Sequence, residues 1–177
     1  AVGGRDIYSG SKGAAEIIFH AYQQSFFKGA KQNIRLATGR AGNVIGGGDW
    51  AKDRIVVDCM KNWSQREAVE IRCPDATRPW QHVLEPLSGY LILAEKLYSE
   101  GIAFAEAWNF GPNDDDAKSV SWIVKQLCDR SPRAKWQTEN AQQPHEAGLL
   151  KLDSSKAKTK LGWKPYWNLE TALNKTL

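Results

Sequence analysis

Apolar positions recur at two periods along this chain, and the period switches repeatedly. Ala14, Ala15, Ile18, Ala21 and Tyr22 return every three or four residues, which predicts a helix over Ser11 to Phe27, ended by Lys28-Gly29. Ile34, Leu36 and Thr38 alternate, which predicts a strand over Asn33 to Thr38. A glycine-rich loop follows through Gly46-Gly47-Gly48. The same reasoning predicts a short helix over Arg54 to Trp63, a strand over Ala68 to Arg72 and an amphipathic helix over Pro86 to Tyr98. Ala107 to Phe110 reads as a short strand closed by Gly111-Pro112. Ser119 caps a helix reaching Cys128, and Leu149 to Leu152 reads as a short strand. Asp153 caps a helix that Gly162 stops, and Asn168 caps the last one. Strands alternating with helices predict an α/β fold.

Composition narrows the class. The chain has 177 residues, 42% hydrophobic and 25% charged, as expected for a globular domain with one core. No run of about 18 apolar residues spans a membrane, and Ala1 to Asp6 lacks the apolar core of a signal peptide. The net charge is +4, with Lys and Arg scattered among acids rather than gathered in a stripe, which argues against nucleic acid as the partner. Cys59, Cys73 and Cys128 are odd in number and widely spaced, so neither a disulfide framework nor a zinc site is expected, and a reducing cytoplasm fits. Asp114-Asp115-Asp116 reads as a solvated turn, and no metal site is expected.

Several short segments carry chemistry. Tyr8 and Lys12 stand four apart at a helix start, on one face. An ammonium one turn from a phenol favours the phenolate, a base able to take a hydroxyl proton; the same spacing also occurs by chance on surface helices. Arg40-Ala41-Gly42-Asn43 leaves a strand end, where open α/β sheets bind ligands. Arg78 lies in Arg78-Pro79-Trp80-Gln81-His82-Val83 and offers a fork for phosphate, with Trp80 as a wall. Trp108-Asn109-Phe110-Gly111 ends a strand in a turn. Gln143-Pro144-His145-Glu146 is a late polar loop. A doubly wound nucleotide-binding fold normally opens with a glycine fingerprint, and no G-x-G-x-x-G occurs here.

The ordered set Y-x-x-x-K, R-x-x-N-V-x-G, R-P-W-Q-H-V, W-N-F-G and L-G-W-x-P resembles the extended short-chain dehydrogenase/reductase family. Within it the resemblance is to the branch that acts on CDP-glucose, carried most specifically by Pro74 to Pro86 and also by Gly46 to Trp50, Arg54 to Val56 and Pro144 to Ala147. It implies the C-terminal part of an NAD(P)-binding Rossmann-like fold. Residues 1–48 would be the remainder of the Rossmann-like domain, and 49–177 mainly a nucleotide-sugar-binding region. The implied cofactor is NAD and the implied reaction an internal redox dehydration. Hydride leaves sugar C4, water is lost across C5 and C6, and hydride returns to C6. The product would be CDP-4-keto-6-deoxyglucose, a precursor for bacterial surface polysaccharide such as O-antigen.

By the same resemblance, Tyr8 is the base and Lys12 tunes it and bonds the nicotinamide ribose. Ala41 and Gly42 pass the nicotinamide. Asn43, Arg54, Arg78, Asn109, His145 and Glu146 contact the nucleotide sugar. Gln143 stands where dTDP-sugar relatives carry an arginine, and Gly148 where they carry a larger residue. The helix from Ser11 to Phe27 implies a homo-oligomer. The glycine loop and further active-site residues would lie upstream of Tyr8, so the isolated chain is expected to fold poorly and not to turn over substrate. An epimerase or dehydratase for dTDP- or UDP-sugars, and a non-catalytic sugar-nucleotide-binding module, remain as alternative readings.

Overall fold

The computed structural model describes residues 6–27, 34–132, 134–139 and 147–177. Helix α1 (Ile7–Tyr22) begins where the Asp6 carboxylate accepts from the Ser9 amide at 2.8 Å. That cap starts the helix ahead of Ser11 and puts Tyr8 inside its first turn. A π turn, Gln23–Phe27, extends it.

Strand β1 (Thr38–Ala41) lies parallel to β5 (Ala107–Phe110), with Thr38 opposite Ala107. Residues 34–37, expected as a strand, have no ladder because β5 begins only at Ala107. Side chains hold this stretch instead. Gln23 Nε2 donates to the carbonyls of Leu36 (3.2 Å) and Ala105 (2.6 Å), and Arg35 Nη1 donates to those of Leu97 and Tyr98, both at 2.8 Å.

A second sheet orders β2 (Asn43–Ile45), β4 (Thr77–His82) and β6 (Ala117–Ser119), the first pair parallel and the second antiparallel. Its central strand β4 carries no alternation to read, since Arg78 to His82 are all buried. Pro79 is tolerated there because it ends the register with β6, opposite Ala117, and precedes the first pair with β2, Asn43–Trp80. A third small sheet pairs β3 (Val69–Ile71) with β7 (Trp136–Thr138) in parallel. Leu149 makes one bridge to Thr77 and starts no strand, so the strand expected over Leu149 to Leu152 is absent.

Two cores hold these pieces. The first packs α2 (Ile55–Ser64), α4 (Val120–Cys128) and α6 (Leu169–Thr176) around Trp80, through Cys59, Ile123, Leu127 and Leu173. The second packs α3 (Leu84–Ser99) and α5 (Ser155–Lys160) on β5, through Leu93, Trp108, Phe110 and Trp163, with the Phe110 and Trp163 rings edge to face at 5.2 Å. Full burial of one such side chain stabilises by about 1.5–3 kcal/mol.

Buried carboxylates tie the C-terminal segment to these cores. Glu85 accepts from the amides of Tyr166 and Trp167, both at 2.9 Å, and Asp116 accepts from that of Leu169 at 2.8 Å. Asp116 is therefore structural, whereas Asp114 and Asp115 are exposed as the sequence suggests. The architecture is α/β with parallel pairings, as expected. No helix among the described residues is long and apolar enough to cross a membrane.

Candidate functional site

A cleft of about 750 Å³ opens beside β2 and the start of α2. Four separate parts of the chain deliver sequence-selected residues to its walls: Tyr8 from α1, Gly42 and Asn43 from the joint between β1 and β2, Arg54 from the start of α2, and Arg78 from β4. Trp50 and Trp80 also line it, with Asp53, Asp58, Glu70 and Arg72.

The joint forms because Gly42 presses on β4. A Cβ there would overlap the Pro79 carbonyl oxygen, so only glycine fits and the chain can step from one sheet to the next. Gly42 and Tyr8 both line the cleft. Tyr8 is 72% exposed, and the Lys12 ammonium lies 5.4 Å from its ring centroid. Neither the phenol nor the ammonium has a hydrogen-bond partner among the described residues. Both remain available to a diol such as the nicotinamide ribose. Ala41 adjoins Gly42 in sequence and Lys12 stands one helical turn from Tyr8, but neither lines the space itself.

Arg54 is the N-cap residue of α2, with extended backbone (φ −115°) and no side-chain cap, so the first amides of α2 lack a side-chain acceptor. Arg78 is only 7% exposed, and its Nη1 donates to the Thr77 carbonyl at 2.9 Å. Trp80 Nε1 donates to the Lys118 carbonyl at 2.9 Å, which fixes that ring in the wall. Asn109 stands apart from the cleft: its Nδ2 donates to the Asp153 carbonyl at 3.0 Å, and its Oδ1 accepts from Arg40 at 3.4 Å. His145 and Glu146 lie outside the described residues.

The α2–β3 wall carries no motif that marks it as chemistry. Glu70 and Arg72 alternate with the buried Val69 and Ile71, a polar face that the strand pattern itself exposes. Thr176 and Leu177 also line the cleft, and nothing in their sequence announces it. Burial, then the nearby Asp53 charge, pushes the Asp58 carboxyl above the usual range, with Lys61 and Arg72 offsetting part of this. Burial lowers His82, whose ring meets Trp167 edge-on at 5.0 Å. Among the described residues, no group of three His, Cys, Asp or Glu side chains is placed to hold a metal ion.

No protein-family model matches the chain. The chain is 50% identical to the CDP-glucose 4,6-dehydratase of Salmonella typhimurium over 98% of its own length and half of that protein's. A UDP-glucuronic acid decarboxylase of Xenopus tropicalis is 26% identical over 99% of the chain and 39% of the relative. The chain thus spans half or less of the length of these relatives. Among solved structures, the UDP-glucuronic acid 4-epimerase of Bacillus cereus, in complex with UDP-glucuronic acid and NAD, superposes with a TM-score of 0.78 at 22% identity, over 96% of this chain and 50% of that one. The dTDP-glucose 4,6-dehydratase of Bacillus anthracis, in complex with NAD, superposes at 0.72 with 18% identity, over 97% and 51%. In sequence the chain matches half of a CDP-glucose 4,6-dehydratase, and its α/β fold is shared with half of each of these nucleotide-sugar epimerase and dehydratase structures.

Proposed function

We propose that this chain is the substrate-binding and base-bearing part of an NAD-dependent nucleotide-sugar 4,6-dehydratase acting on CDP-glucose. The observation that carries this is the convergence of Tyr8, Gly42, Asn43, Arg54 and Arg78 on one cleft from four separate segments. Tyr8 takes the proton of the sugar C4 hydroxyl, with the Lys12 ammonium beside its ring. Arg54 and Arg78 hold the diphosphate, helped by the uncapped start of α2. Asn43 faces the sugar diphosphate. Asn109, and in the late loop His145 and Glu146, complete the nucleotide contacts.

Tyr8 and Lys12, with Ala41 and Gly42, suit the nicotinamide ribose of NAD, since the phenol and the ammonium are exposed and have no hydrogen-bond partner among the described residues. NAD, when bound, supplies acceptance and return of one hydride, so the sugar loses only water overall. Residues 1–48 then belong with the cofactor-binding domain and 49–177 mainly with the sugar nucleotide. The setting is cytoplasmic, supplying deoxysugar for surface polysaccharide.

The test is turnover of CDP-, dTDP- and UDP-glucose by the full-length protein, read as keto-sugar product by mass spectrometry. CDP-glucose is expected to be converted fastest. Tyr8→Phe is expected to lower kcat at least about a hundredfold, as loss of a general base does, with the fold intact. Undiminished turnover by that variant, or no keto-sugar from any of the three, refutes the reading.

A further inference from the structure

The polar wall made by α2 and β3 has work beyond holding a diphosphate. Four side-chain carboxylates line the cleft, on this wall and in the loop before α2, and three are already engaged. Asp49 accepts from the Ala51 amide at 3.0 Å. Asp53 faces Arg72 at 3.7 Å, and Glu70 accepts from Gln137 Nε2 at 3.0 Å. Asp58 has no hydrogen-bond partner for its carboxylate among the described residues. It stands one helical turn past Arg54, whose carbonyl accepts from the Asp58 amide at 2.8 Å. A carboxylate cannot rest against phosphate oxygens without repulsion. An Asp58 facing the cleft therefore calls for a ligand group that donates.

We propose that Asp58 reads the base of the bound nucleotide, its carboxylate accepting from an exocyclic amino group such as cytosine N4. Uracil and thymine offer a carbonyl oxygen at that position, whose lone pairs would oppose those of the carboxylate. The inference rests on the nucleotide-sugar reading of the cleft and deepens it by naming how cytosine is chosen. The fold itself disfavours the Asp58 charge, through burial and Asp53. A donating amino group relieves that penalty, and a carbonyl oxygen increases it. A good contact of this kind discriminates by about 1–3 kcal/mol, or roughly 5- to 150-fold.

The experiment is calorimetric titration of the full-length protein, its Asp58→Asn variant and its Asp58→Ala variant with CDP and with UDP. The native protein is expected to prefer CDP within that range. Asn presents an amide donor to uracil O4, so the Asn variant is expected to lose the preference or invert it. The Ala variant is expected to bring CDP down towards UDP. Neither variant is expected to lower the melting temperature, because each removes a charge that the fold disfavours. Binding of both nucleotides with a ratio that neither variant changes overturns the role of Asp58 alone. Binding of neither nucleotide by the native protein overturns the cleft reading as well.

Discussion

At single positions, the tightest constraints fall where a side chain would have no room. A Cβ at Gly89, on α3, would drive into the Phe110 ring, whereas one at Gly10, on α1, meets nothing within 4 Å. Gly89→Ala is expected to destabilise despite gaining about 1 kcal/mol of helix preference, because overpacking costs about 1–3 kcal/mol. Gly10→Ala is expected to stabilise by up to about 1 kcal/mol. Thermal unfolding of the two variants should therefore move in opposite directions. The sequence marks both simply as glycines in helical stretches, and only the partner across the core separates them. Tyr8, Asn43, Arg54 and Arg78 were legible because their residue types and order carry chemistry. Asp58 was not: one acid on a helix reads as a solvated face until the opposite wall is known.

At the level of elements, two helix caps were easy to read, whereas a third and the ladders were not: Asp153, expected as a cap, accepts from the Ser155 amide at 2.8 Å, but Ser154 is the N-cap residue of α5. Ser119 and Asn168 accept from the amides three residues on, at 3.2 and 2.9 Å, as their sequence positions suggest. Strand β4 was invisible, since a proline amid continuously buried positions hides the period of two. The attachment of α1 was hidden too, because it is polar and distant in sequence. Glu16 receives two bonds from Arg40, Nε and Nη2 at 2.8 Å each, and this pair fastens α1 to β1. The hydrogen bonds from Arg40, working against burial and aided by its charge, hold the Glu16 carboxyl below its usual range. A lowered acid contributes stability that is present above its unfolded value, near 4.5, and is lost as pH falls through the folded one. Glu16→Gln is expected to cost about 0.2–1 kcal/mol at neutral pH, the range for partly exposed pairs, and nothing in strong acid. Denaturant titrations of both forms across pH check this.

On the scale of the whole molecule, the fold class was readable in the sequence, while the division of the described residues into three small sheets depends on pairings that no local pattern encodes. Helix α1 and its π extension show Ile7, Ile17, Ile18, Tyr22 and Phe26 to solvent, each more than half exposed. A stripe of this kind asks for cover. The protein is accordingly expected to self-associate through this helix, with Ile18→Glu shifting sedimentation towards the monomer. The two carboxylates that grip the C-terminal segment carry a practical corollary. With Glu85 and Asp116 anchoring the start of α6, Thr176 and Leu177 are set into the rim of the ligand-binding space. A label or cross-linker attached at Thr176 would therefore sit at the mouth of the cleft and narrow it, so probes meant for other purposes belong elsewhere.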